Sequence, residues 1–347
     1  MGSDFKRTLI WVVFLSALFL LWDSWQVYNG RPSFFGAAPV EQSAQASAAD
    51  SAAVPAAVAD KSAVPEVAGQ EGRLIDVSTD LMKLTFDEQG ASLVRAELLK
   101  MKELPKWNEV GLVGLILGNK EEAHKNVVLF DHTKEHFYEA QTGVIGAEGA
   151  PNHRSAYKLV EGPLSLTDGQ GKLDVKFVSG AGAVKVEKTY SLEAGHYGMT
   201  VTHSITNESG KTVTPSVYYQ LVRDDHQAEG QSSFTNSYLG AAVYTEEDKF
   251  QKVSFKDIAA DSKDYPSKTN NGWIAMIQQH FLSAWVPPQK AEREIFTRRL
   301  TSDTYAVGTI IGLGEVAPGK TVSETATLYV GPQAQKRLAQ IAPGRDL

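Results

Sequence analysis

The chain has 347 residues, a formal net charge of −7 and no cysteine. The acidic balance excludes a basic nucleic-acid-binding face, and the lack of cysteine excludes disulfides, thiol catalysis and Cys-ligated metal sites. With 42% hydrophobic residues the chain can still bury a large core.

The first predicted element is an apolar run from Leu9 to Trp22, interrupted only by Ser16, with Lys6 and Arg7 before it and Asp23 after it. At roughly 1.5 Å per residue the run covers about 21 Å, short of a ~30 Å hydrocarbon core. Phe5, Thr8, Trp25, Val27 and Tyr28 extend it to spanning length. Leu9, Trp11, Phe14, Leu18 and Trp22 are the anchoring side chains, and Trp22, Trp25 and Tyr28 form an interfacial belt. The rival reading is a cleaved secretory signal. The nearest small-residue cluster, Gly36-Ala37-Ala38, is followed by Pro39 and makes a poor cleavage site, so residues 1–30 are expected to be a retained transmembrane anchor. The preceding basic residues put the N-terminus in the cytoplasm and the rest of the chain outside.

Residues 31–71 are dominated by Ala, Ser, Val, Pro and Gln. Such a segment buries too little surface to offset its ordering entropy and is expected to be a disordered linker. As a flexible coil it would reach on the order of 30–35 Å.

The remainder, residues 72–347, has period-two rhythm. Met82–Phe86, Leu173–Phe177, Val184–Tyr190, Met199–Ile205 and Thr325–Val330 alternate apolar and polar residues, the pattern of half-buried antiparallel strands. Turn signals separate them at Asp168-Gly169, Gly195, Asn207–Gly210 and Pro318-Gly319. Roughly fifteen strands are expected, which predicts an all-β domain of two large packed antiparallel sheets. One helix is expected from Gln333 to Ile341, between Pro332 and Pro343. The long apolar stretch Asn271–Pro287 alternates only weakly and is expected to be a central element buried on both faces.

Few motifs carry chemistry. His132-Thr-Lys-Glu135-His136 spells the H-x-x-E-H of inverted zinc peptidases, but that chemistry needs both histidines on one helical face. Here strand-like Val127–Phe130 leads in, and on a strand the two histidines would sit about 13 Å apart, so a surface loop without metal is expected. Asp224-Asp225-His226 with Glu229 reads as a solvated loop, and His203 as an exposed or rim residue of its strand. No phosphate loop, dinucleotide fingerprint or nucleophile elbow is present; no cofactor, metal or catalytic residue is predicted.

The stretch from Asn271 to Pro287 also resembles the signature GGW-A-M-QQ-F-AW-P of the YidC-type bacterial membrane protein insertases, with Asn271 standing at the first glycine. Gly72–Asp80, Gly240–Thr245, Leu328–Pro332 and Ala342–Leu347 resemble other segments of that family in the same order, while Lys100–Lys125 looks divergent or inserted. The resemblance implies a periplasmic β-supersandwich similar to galactose mutarotases, closed by a terminal helix and tethered to the inner membrane. It implies help for nascent membrane proteins in insertion, folding and assembly, alone or beside the Sec translocon, and no enzymatic activity. The insertase core of that family, five helices with a buried arginine, follows this domain and is expected to lie beyond Leu347. The face from Ser216 to Phe255 is implied to contact the SecDF accessory complex, with Tyr218, Tyr219, Tyr238, Tyr244 and Phe250 as candidate anchors. The alternative is a membrane-tethered periplasmic carbohydrate-binding or sugar-epimerase-like protein. It calls for His203 or His226 facing a carboxylate beside an aromatic platform, and no Glu/His pair aligns in the sequence.

Overall fold

Alternation becomes strand over most of the residues that the structure describes. The computed structural model describes residues 72–102, 125–133, 136–166, 171–180, 182–226, 238–262, 264–278 and 280–333. The predicted anchor with Leu9, Trp11, Phe14, Leu18 and Trp22, the linker, and all but the first residue of the predicted terminal helix lie outside them. Among the described residues no helix is long and apolar enough to cross a membrane.

The strands run, in chain order, β1 Leu74–Ser78, β2 Met82–Asp87, β3 Ser92–Lys102, β4 Asn126–Val128, β5 Asp131–His132, β6 Phe137–Ile145 and β7 Lys158–Leu159. They continue as β8 Lys172–Ser179, β9 Val184–Glu193, β10 Gly198–Asn207, β11 Ser216–Asp224, β12 Leu239–Thr245 and β13 Lys249–Val253. A short helix, α1 Phe255–Ala259, precedes β14 Lys268–Thr269, β15 Trp273–Gln278, β16 Phe281–Val286, β17 Arg293–Arg299, β18 Thr304–Gly312 and β19 Thr321–Pro332. The helix starts at a capping box, in which Ser254 accepts from the Asp257 N–H and the Asp257 side chain accepts from the Ser254 N–H.

Two large antiparallel sheets result. The ten-stranded first sheet is ordered β1-β2-β3-β6-β11-β18-β17-β14, with β4 on β3 and β5 on β6. The nine-stranded second is ordered β13-β12-β15-β16-β19-β10-β9-β8-β7. Their facing sides share one core. Trp285 of β16 is fully buried and donates its indole N–H to the Gln220 carbonyl of β11 at 3.1 Å, with the Tyr219 ring centred 4.9 Å away. Tyr190 of β9 reaches across to the Ala91 carbonyl at 2.6 Å and packs on Phe86 at 4.6 Å. Trp285 and Tyr190 satisfy their polar ends while burying their rings, as buried Trp and Tyr usually do.

The Asn271–Pro287 stretch is buried on both sides, but as two strands. β15 and β16 pair as a hairpin, Ile274 opposite Trp285 and Met276 opposite Ser283. The turn falls in Gln278–Phe281, which holds neither Gly nor Pro and gives no turn signal in the sequence. Entry to the hairpin depends on Gly272, at φ +87°, where a Cβ would lie 1.8 Å from the Tyr244 carbonyl oxygen. Only glycine fits there.

Candidate functional site

The predicted contact aromatics separate into two groups. Tyr218 and Tyr219 are adjacent on β11 and both fully buried, so neither offers a surface; this corrects their assignment as anchors. Tyr219 points between the sheets. Tyr218 points to the opposite side, where it packs with Phe296 and Ile310 and its hydroxyl accepts from the His153 N–H at 3.0 Å. A strand with one face in the sandwich and the other under a covering loop has no solvent side.

Tyr238, Tyr244 and Phe250 come together at the β13 edge of the second sheet. Tyr244 and Phe250 are register partners, and both rings lie against Trp273, Tyr244 stacked at 5.6 Å and Phe250 tilted at 6.0 Å. Tyr244 is the buried base of this group, while Phe250 and Tyr238 are partly exposed. Tyr238 donates to the Ala241 carbonyl at 2.5 Å, and the Lys252 ammonium lies 4.8 Å over its ring. Lys249 and Lys252 are exposed on β13, whose pairing, among the described residues, is with β12 on one side only. Lysines on a sheet edge discourage indiscriminate strand pairing.

The histidines of the H-x-x-E-H motif divide between different partners. His132 ends β5 and pairs with Glu139, whose hydrogen bond raises the His132 pKa. His136 lies 3.7 Å from Asp224 and meets the His226 ring edge-on at 5.0 Å. Asp224 is buried rather than solvated: it ends β11 and accepts from the Phe137 and His226 N–H groups. Among the described residues no group of three His, Asp or Glu side chains could hold a metal ion. Glu135 and Glu229 lie outside them.

His203 is the larger correction, being fully buried. It shares its strand phase with Met199, Val201 and Ile205, so it points inward with them. Its register partners are Lys188 on β9 and Glu324 on β19, forming one polar rank across three strands. Opposite stands a rank from the first sheet, Thr142, Tyr219 and Thr309, also in register. Lys188 donates to the Gly90 carbonyl at 2.5 Å and the Thr142 carbonyl at 3.0 Å; burial lowers its pKa to about 7. A neutral amine has two N–H donors, and these two carbonyls use both. Burial, reinforced by Lys188, also lowers the His203 pKa. Sequence inspection missed this pairing because it joins β10 to a strand far along the chain.

A family model described as the YidC periplasmic domain matches residues 117–347. The chain belongs to the YidC periplasmic-domain family. A membrane protein insertase YidC of Bordetella parapertussis is 38% identical over 99% of this chain and 61% of its own length. One from Herminiimonas arsenicoxydans is 39% identical over 99% of this chain and 60% of its own length. The chain thus spans about three fifths of the curated relatives it matches. Among solved structures, a galactose mutarotase related enzyme from Lactobacillus acidophilus aligns with 74% of this chain and 97% of its own, at 10% identity and a TM-score of 0.45. A likeness of that size carries no argument about chemistry.

Proposed function

We propose that this chain is the anchor and periplasmic domain of a membrane protein insertase, working in the bacterial inner membrane. The observation that carries the reading is the family match over residues 117–347, together with insertase relatives 38% identical over 99% of the chain. In this reading Leu9–Trp22 is the retained first transmembrane helix with a cytoplasmic N-terminus, and residues 31–71 are the linker. Residues 72–347 are a mutarotase-type β-supersandwich with a terminal helix from Gln333. The whole protein assists integral membrane proteins in inserting, folding and assembling, with or without the Sec translocon. A hydrophilic path lowers a cost of several kcal/mol for each unsatisfied polar group carried into lipid.

The domain itself acts as an interaction scaffold rather than an enzyme. Its contact with the SecDF accessory complex runs along the β13 edge, with Phe250 and Tyr238 as anchors over the Tyr244–Trp273 base. Partly exposed aromatics on a rigid buried support are the residues that dominate contact energies. Capture of SecDF by the membrane-embedded protein tests this: Phe250→Ala with Tyr238→Ala should lower recovery severalfold, and undiminished recovery rejects the edge. For the insertase reading, depleting the protein should leave newly made membrane proteins open to protease or uninserted. Normal insertion after depletion would reject it.

A further inference from the structure

The polar layer between the sheets contains four buried atoms with no hydrogen-bond partner: His203 Nδ1, Tyr219 Oη, Thr309 Oγ1 and Glu324 Oε1. Among the described residues a single other such atom exists, Gln251 Oε1 near the β13 edge. Four unpartnered atoms in one layer is not scatter. Burying each without a partner is costly, and native interiors satisfy nearly all such groups.

The hydrogen bonds around the layer define what each atom requires. Thr142 has one hydroxyl proton, which it donates to the Tyr218 carbonyl at 2.6 Å. Towards His203 Nε2, 3.1 Å away, it can therefore only accept, so the ring proton is on Nε2 and Nδ1 is a bare lone pair. His203 Nδ1 needs a donor. The hydroxyls of Tyr219 and Thr309 each offer a proton and accept one, and Glu324 Oε1 accepts. Arg293 already stands near Glu324, so the layer is not short of positive charge. The complementary group is neutral and both donates and accepts, which describes a hydroxyl.

At one end of the layer Thr309 lines a narrow crevice with Trp273, Ile274, Pro287, Arg293 and Ile295. Arg293 lies close enough to lower the Glu324 pKa against the desolvation that raises it. Glu324 is itself half-buried and stands at the outer end of the rank whose inner end is Lys188.

We propose that this layer is a binding site for hydroxyl groups, bridging His203, Tyr219, Thr309 and Glu324. Two sources share that chemistry, internal water and a small polyol. The site is independent of the proposed role of the β13 edge, so either can fail alone.

The test uses Tyr219→Phe and Thr309→Val, which delete one hydroxyl each with little change of shape. If bound hydroxyls satisfy these groups, each variant should lower the melting temperature by about 2–4 °C. If the groups are dry orphans, deletion should leave it unchanged or raise it, and that result overturns the proposal. A high-resolution crystal structure of the wild-type domain gives a second measurement should a variant fail to fold. Density bridging at least two of the four atoms supports the site, and an empty layer rejects it. Calorimetric titration with myo-inositol separates the sources. Saturable heat in wild type that Thr309→Val abolishes identifies a polyol site; bridging density without such heat identifies resident water.

Discussion

Lys188 makes the stability of this domain depend on alkaline pH. Its ammonium would sit fully buried between the sheets, 4.8 Å over the Tyr157 ring and without a carboxylate partner, and burial lowers its pKa to about 7 from an ordinary 10.5. Between those values the unfolded chain holds a proton that the folded chain has lost. Stability therefore rises with pH across this window and levels off above the unfolded value. Each pH unit inside it is worth about 1.4 kcal/mol, so moving from pH 7.5 to 9.5 should add roughly 2.7 kcal/mol. His203 contributes nothing there, because its lowered pKa keeps it neutral throughout. Tyr157 and Tyr190 keep their protons in the fold while the unfolded phenols ionise near pH 10, so they are silent between pH 7.5 and 8.5 and begin to oppose the Lys188 gain only from about pH 9.5 upward. Urea unfolding of the domain at pH 7.5, 8.5 and 9.5 measures the slope, and Lys188→Met should flatten it. The variant forfeits the bonds to Gly90 and Thr142, so its stability at pH 9.5 should fall below wild type by about 1–3 kcal/mol per stranded carbonyl. A wild-type slope near zero, or one that survives the substitution, would refute the reasoning.

Other outcomes follow from single contacts. Trp285→Ala removes a fully buried indole and its bond to Gln220, and should cost about 3–5 kcal/mol in urea unfolding. Gly272→Ala must place a Cβ against the Tyr244 carbonyl at positive φ, so a loss of about 2 kcal/mol or more is expected in the same assay. The His132 ring should titrate above 6.5 by NMR because Glu139 holds its proton, and Glu139→Gln should bring the value down. Stability from that pair is present at acid pH and is lost as pH rises through the His132 pKa.

The legible part of this fold is the part with one wet face. β8, β9, β10 and β19 have polar outer sides and apolar inner ones, so their alternation is plain in the sequence. β15 and β16 are buried on both sides, which erases the alternation and hides the turn between them. For the same reason β11 shows aromatic content without showing that Tyr218 and Tyr219 face opposite interiors. At the β13 edge the sequence order was enough to bring Tyr238, Tyr244 and Phe250 into one neighbourhood, because β12 and β13 form a local hairpin.

The polar layer left a trace in the sequence that can be read only in combination. Lys188 occupies the phase of Val186 and Tyr190, His203 that of Val201 and Ile205, and Glu324 that of Val322 and Ala326. Taken singly, a polar residue on an apolar phase reads as a strand end or a rim. Three such residues on three strands mean more, because the cost of burying a polar group falls when its neighbours can share partners with it. Register is what makes them neighbours, and the pairing of β10 with β19 spans too much chain for any local signal to announce it. An interior charge out of phase with its strand is therefore evidence about the strands beside it. The sheet order that makes all three neighbours at once is the one that places β10 between β9 and β19.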